Sequence, residues 1–301
     1  MKKIVEKVHP SYSKEIGKSK SFWILLIIAG IALAVGTERL KRIIERTTEK
    51  SISVNIDFGA GTLKLSKASA GKIVEASLEY DPDKVKPRIN YDLMGTKGKL
   101  QVDMKSPYRK DDGINFNYPD LKKNDWDLKL STEIPLTLDL DLGASKSDLD
   151  FSGMQITDCK ISTGASETSL RFDTPNPVRM SLLKIEAGIA KFRASNLANA
   201  NFDRFKFDGG VGSYTLDFRG ELNHRTDIAI EVGLGSTTIL IPKRFGVKLI
   251  SDGSFLSSVS FDRMQKIRSD VYVNDQYGKT ESELVINLDT GIGSVNLEWV
   301  E

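Results

Sequence analysis

Four aspartates, two histidines, a lone cysteine and a glycine cluster are the residues of this 301-residue chain whose types and spacing could do chemistry. Asp139 and Asp141 flank Leu140, and Asp148 and Asp150 follow. Paired carboxyls hydrolyse glycosides when they stand about 5–10 Å apart in a cleft, and calcium takes six or more oxygens. Alternation with Leu138, Leu140 and Leu142 instead puts Asp139 and Asp141 on the solvent face of a strand. His9 and His224 lie far apart in sequence, and with one cysteine there is no nitrogen–sulfur set for zinc. Both read as surface histidines on opposite sides of a membrane. Cys159 cannot form an intramolecular disulfide and reads as a small apolar filler beside Ile156 and Ile161. Gly209-Gly210-Val211-Gly212 lacks the Lys-Ser/Thr of a phosphate loop and leads into a strand rather than a helix. The sequence therefore predicts no catalytic, cofactor-binding or metal-binding residue, no cofactor and no enzyme.

The element that would position these residues is a repeat. A glycine is followed by a small or apolar pair, then by apolar residues four, six and eight positions on. The copies begin at Gly59, Gly143, Gly164, Gly188, Gly210, Gly233, Gly253 and Gly291. The period of about two dozen residues is that of a solenoid and too short for a propeller blade. Glycine permits a bend that a Cβ would obstruct. The alternation puts Tyr214, Leu216 and Phe218 on one strand face, as it does Val295, Leu297 and Trp299. One rung cannot bury that face alone, so neighbouring rungs must stack. The segments Leu183–Ile185, Arg204–Phe207, Asp227–Glu231 and Val247–Ile250 read as extended returns. The fold class that follows is all-β: a β-solenoid over residues 136–301, behind a β cap or subdomain over 51–135. A hairpin at about 271–288 interrupts the repeat before its last copy.

Ahead of the cap, residues 21–37 are uncharged and read as one transmembrane helix, with Trp23 near an interface. Ala32-Leu33-Ala34 leaves open a cleaved signal. Residues 38–50 read as a charged helical stalk, because Leu40, Ile43, Ile44 and Thr47 share a helical face. The basic N-terminal segment, residues 1–20, carries +4 and the stalk +2; since the net charge is +2, residues 51–301 carry −4. That acidic balance argues against a nucleic-acid partner. Both membrane flanks are basic, so orientation rests on the habit of a lone signal-anchor, which puts the large domain outside the cell membrane.

Residues 106–124 form a long loop without a structural pattern. Its Tyr108, Phe116 and Tyr118 are the candidate partner contacts, since aromatics dominate binding hot spots. The bland alternative is a loop packed over the open end of the solenoid.

The N-terminal anchor, the opening IDFGAGTLKL and the closing GIGSVNLEW together resemble the toast-rack group. That group includes the LiaF-like proteins of the cell-wall-active antibiotic response and DUF4097-type candidate adhesins of bacterial surfaces. The resemblance implies a membrane-attached β-solenoid acting through protein contacts or envelope-stress regulation, and offers no catalytic residues. The best-known regulators of the group carry several membrane helices, whereas this chain has one candidate. Three functions are expected in descending order. The first is a non-catalytic envelope interaction or regulatory protein that contacts the bilayer through residues 21–37 and a membrane or cell-wall protein through its solenoid. The second is an adhesin or glycan-binding module, which would show exposed aromatics along its rungs. The third is a polysaccharide-active enzyme, which would bring Asp, Lys or Arg together in one groove. No small-molecule substrate is evident.

Overall fold

The computed structural model describes residues 37–105, 124–252, 257–260 and 263–301. The transmembrane segment and the aromatic trio Tyr108, Phe116 and Tyr118 lie outside the described residues, as does His9. Among the described residues no helix is long and apolar enough to cross a membrane. The strands are β1 (Glu38–Glu45), β2 (Ser51–Lys67), β3 (Lys72–Tyr80), β4 (Lys86–Met94), β5 (Lys97–Lys105), β6 (Asp125–Leu130), β7 (Leu136–Asp150), β8 (Ile156–Arg171), β9 (Met180–Ser195), β10 (Phe202–Asp217), β11 (Arg225–Pro242), β12 (Gly246–Asp252), β13 (Ser257–Ser260), β14 (Gln265–Arg268), β15 (Val271–Val273) and β16 (Glu283–Val300).

The stack is parallel and in register. Its layers run β5 with β6, then β2, β7, β8, β9, β10, β11, β16, and last β12 with β13. At about 4.8 Å per layer, eight spacings make a rod of about 38 Å. Leu216, Ile239 and Leu297 face one another across β10, β11 and β16 and are all buried. They form the interior column that the repeat required.

Between the two end layers, each rung is one long strand bent at its repeat glycine. In β11, Thr226, Ile228, Ile230 and Val232 point inward before the bend, and Thr237, Ile239 and Ile241 after it. The inward parity slips by one at Gly233–Gly235, which turns the strand while keeping both arms on one core. Of the segments expected as separate returns, Leu183–Ile185, Arg204–Phe207 and Asp227–Glu231 are the first arms of these bent strands, and Val247–Ile250 lies in β12. The true returns are short and irregular, and they bury Phe151, Phe172, Phe218 and Phe245. Their backbone groups are satisfied by side chains. Asn176 Nδ2 donates to the carbonyls of Ile156 (2.7 Å) and Ala200 (3.1 Å), and its Oδ1 accepts from the Val178 N–H (3.1 Å). Asn274 does the same work at the other end, between Phe245 O and Val247 N–H, both at 2.8 Å.

Three expectations need correction. Residues 38–45 are not a helical stalk but strand β1, paired antiparallel with β3 along its length. Leu40 and Ile44 satisfy a period of two as well as a helical face, and both pack against the core, while Ile43 is half exposed. The open edge of β3 offers backbone partners that an isolated stalk lacks, so tertiary pairing overrides the helical pattern. Residues 51–67 are not cap but a full rung, in register with β7. The antiparallel cap strands are β1, β3 and β4. Last, the inserted hairpin is β14 with β15, and Leu284–Leu288 belong to the final rung. Alternation in 284–288 fits either role, and only stacking against Thr226–Ile230 decides it.

One buried polar atom lacks a partner where the core is most aromatic. The Tyr214 ring meets Phe207 edge-on at 5.1 Å, while its hydroxyl is buried without a hydrogen bond. An unpaired buried hydroxyl costs about 1–3 kcal/mol. Tyr214→Phe is therefore expected to hold or raise stability, by up to about 1 kcal/mol. A fall of that size in urea unfolding would show that the hydroxyl has a partner.

Candidate functional site

Because the rungs stack in register, outward side chains fall into columns. Two residues before the repeat glycines, the column reads Asp57, Asp141, Ser162, Glu186, Asp208, Glu231 and Asp289 through consecutive ladders, with Asp103 of β5 opposite Asp57. Like charges directly opposite one another destabilise a sheet, so this column needs cations. Some of its members have them. Asp103 is buried and accepts from Arg88 Nε at 2.6 Å. Glu186 accepts from Lys184 Nζ at 2.6 Å and from the Ser162 hydroxyl at 2.9 Å. The Lys184 ammonium first, then the hydroxyl, pull the Glu186 carboxyl down to about 2. A depressed carboxylate stabilises the fold above its unfolded value near 4.5 and loses that contribution as pH falls toward 2. Glu186→Gln should thus lower the melting temperature slightly at pH 7 and match the parent at pH 2. An equal deficit at both pH values would mean lost packing rather than lost charge. Asp208, Glu231 and Asp289 are exposed and make no hydrogen bond or close ion pair among the described residues, although Asp208 attracts the Lys184 ammonium from a distance.

On the other arm of the bend the outward faces of β2, β6, β7, β8 and β9 line a groove of about 850 Å³, with Arg39 and Glu79 of the cap strands at one end. That volume suits a small polar ligand or a sugar chain. The floor is charged and largely self-paired. Arg171 spans Asp148 and Asp150, the latter at 3.0 Å. Lys191 pairs with Glu167 at 3.0 Å, and its ammonium holds that carboxyl below the usual range. Asp127 Oδ1 is shielded from solvent without a partner. Trp126 lines the groove but is only 2% exposed, so its ring offers no stacking face.

The residues singled out in the sequence behave simply. Asp139 and Asp141 are exposed on β7, between buried Leu138, Leu140 and Leu142. Asp148 and Asp150 join the groove through Arg171. Cys159 is buried, and burial pushes its thiol up. His224 is half-buried, with Nε2 at 3.0 Å from Phe202 O. Among the described residues no three metal-ligating side chains cluster. The groove residues Arg171, Glu167 and Lys191 went unnoticed in sequence. Their signal was there, because the copies aligned on their glycines reproduce the structural register.

A family model described as the N-terminal domain of toast_rack, DUF2154, matches residues 35–195. No curated protein matches the chain. Among solved structures, a candidate cell adhesion protein from Clostridium sporogenes is similar at 20% identity and a TM-score of 0.47, covering 88% of this chain and 100% of that one. A candidate adhesin from Bacteroides fragilis is similar at 14% identity and a TM-score of 0.38, covering 89% and 100%. Both likenesses are distant. The family match spans more than half of the residues and includes the cap and the first rungs, and on it the chain belongs to the toast-rack family.

Proposed function

We propose that this chain is a non-catalytic interaction module of the cell envelope, tethered to the bilayer by residues 21–37 and presenting its solenoid on the extracytoplasmic side to a membrane or cell-wall protein. The observation that carries this reading is the in-register stacking of outward positions into columns, which offers a partner a continuous face about 38 Å long. Family membership and the apolar run Phe22–Val35 support the envelope setting. An envelope-stress role belongs to the same reading. The test is photo-crosslinking in intact cells from exposed rung positions, with protease protection of the solenoid as the control for its side of the membrane. Recovery of one defined membrane or wall protein supports the reading; recovery of abundant background proteins alone ends it.

The polar groove favours a second reading, a glycan-binding or adhesive module. Asp, Lys and Arg do converge there, which is also what a polysaccharide-active enzyme would need. The self-paired charges and the hidden Trp126 ring weigh against both. Purified chain is expected to bind no wall or host glycan on an array and to release no reducing ends from wall polysaccharide. Either activity, lost in Arg171→Ala, would move the function to the groove.

A further inference from the structure

One residue after Gly188, Gly210, Gly233 and Gly291, on the outside of the bend, the chain places an apolar ridge. Ile189 faces Val211, Val211 faces Leu234, and Leu234 faces Ile292 across four adjacent rungs. These side chains are 70%, 46%, 47% and 55% exposed, on a fold that buries nearly all its other large apolar rung residues. Ala165 and Ala144 continue the line onto β8 and β7. Glycines run along both sides of the ridge. Gly188, Gly210, Gly233 and Gly291 precede it, and Gly212, Gly235 and Gly293 follow it. The ridge therefore stands between two shallow troughs of bare backbone.

Beyond one trough lies the acidic column, and at these rungs it includes Asp208, Glu231 and Asp289, the three carboxylates without a bonded partner. Beyond the other lie Lys191, Ser213, Ser236 and Ser294. A row of stacked carboxylates beside exposed Ile, Val and Leu is unfavourable for the free protein on two counts, repulsion and exposed apolar surface. Cationic apolar side chains laid along it would relieve both.

We infer that this ridge docks the apolar face of a cationic amphipathic helix from a partner protein. The inference rests on the interaction-module reading and names its surface and the chemistry of its partner. A strand is disfavoured because the rungs already bond to each other on both sides, leaving no backbone edge along the ridge. A helix fits the spacing. Three rung intervals span about 14 Å, and three turns of helix about 16 Å. Side chains at i, i+3, i+4 and i+7 would drop into the glycine troughs as ridges enter grooves. Lys or Arg on one flank would meet Asp208, Glu231 and Asp289. An anionic membrane surface is disfavoured by the same three charges.

The probe is an 18-residue helical peptide with Leu at i, i+3, i+4 and i+7, Lys on both flanks and a central benzophenone. It is photolysed with the full chain in zwitterionic nanodiscs, and the adducts are mapped by mass spectrometry. Adducts are expected on the ridge rungs. Their yield should fall at least fivefold in the double variant Val211→Ser/Leu234→Ser, and as much in Asp208→Asn/Glu231→Gln/Asp289→Asn. The control Met94→Ser, an exposed apolar residue in the cap, should leave the yield unchanged. All the substitutions are on the surface, and matched circular dichroism confirms folding. A peptide with Glu in place of Lys should give only background. No adducts on the ridge, equal yields from the two peptides, or loss in the acidic variant alone would each overturn the proposal. So would a wild-type chain that sediments as a dimer while Val211→Ser/Leu234→Ser is a monomer, because the ridge would then pair copies. In-cell crosslinks from other faces would leave the broader reading standing while this one fell.

Discussion

Deleting residues 283–301 is expected to abolish folding of the C-terminal half, although it removes only the last strand. In a chain whose rungs stacked in sequence order, this would trim an end. Here β16 lies inside the stack. It pairs with β11 on one side and with β12 and β13 on the other, all parallel. Removal takes out Leu284, Ile286, Leu288, Val295 and Leu297, all buried. Five buried aliphatic side chains are worth about 7–15 kcal/mol in transfer terms, against a total stability of about 5–15 kcal/mol for a typical domain. It also opens the edge of β11 and frees β12, and with it the β14–β15 hairpin that pairs with β12. The truncated chain should accumulate poorly and elute as aggregate. A monomeric product that keeps its strand signal in circular dichroism would show that β12 can close directly onto β11.

The same inversion occurs at the other end. Strand β2 precedes β5 and β6 in sequence but lies inside them, against β7. Stacked rungs were legible because the glycine marks the bend and the alternation marks the inward face. Aligning the copies at Gly210, Gly233 and Gly291 even gives the true residue pairs, Leu216 with Ile239 with Leu297. Which rung neighbours which was not legible. The pattern in 284–297 is the same whether that rung caps the stack or completes its interior, and only the partners on both sides tell them apart. The helical misreading of 38–45 has a related cause. Leu40 and Ile44 are four apart, a spacing common to one helix face and one strand face, and the free edge of β3 settles it. The groove and the ridge stayed unread for a different reason. Arg171, Lys191 and Leu234 are unremarkable singly, and they become surfaces only when residues about two dozen apart are set side by side.

Gly235→Ala is expected to cost about 3 kcal/mol, and the reason separates two roles that a repeat glycine can play. At Gly235 the backbone has φ of 144°, a region L side chains rarely adopt, and a Cβ there would run into the carbonyl oxygen of Gly212 on the rung below. Strain of the first kind costs about 1–3 kcal/mol, and the overlap adds to it by forcing two rungs apart. Gly95 isolates the first effect. It turns the β4–β5 hairpin with φ of 64°, and a Cβ there meets nothing within 4 Å. Gly95→Ala should cost about 1 kcal/mol. The rung position itself shows that the glycine is a local need, because β9 carries Ala190 in register with Gly212, with its side chain inward. The bend thus takes one form at β9 and another at β11 and β16, where Gly293 repeats the φ of Gly235 at 146°. For a domain of this size 1 kcal/mol moves the melting temperature by about 2–4 °C, so Gly235→Ala should melt roughly 6–12 °C low and Gly95→Ala within about 4 °C of the parent. Equal shifts in the two variants would mean that the rungs can part to admit a methyl group. The close inter-rung approach would then not be what confines this position to glycine.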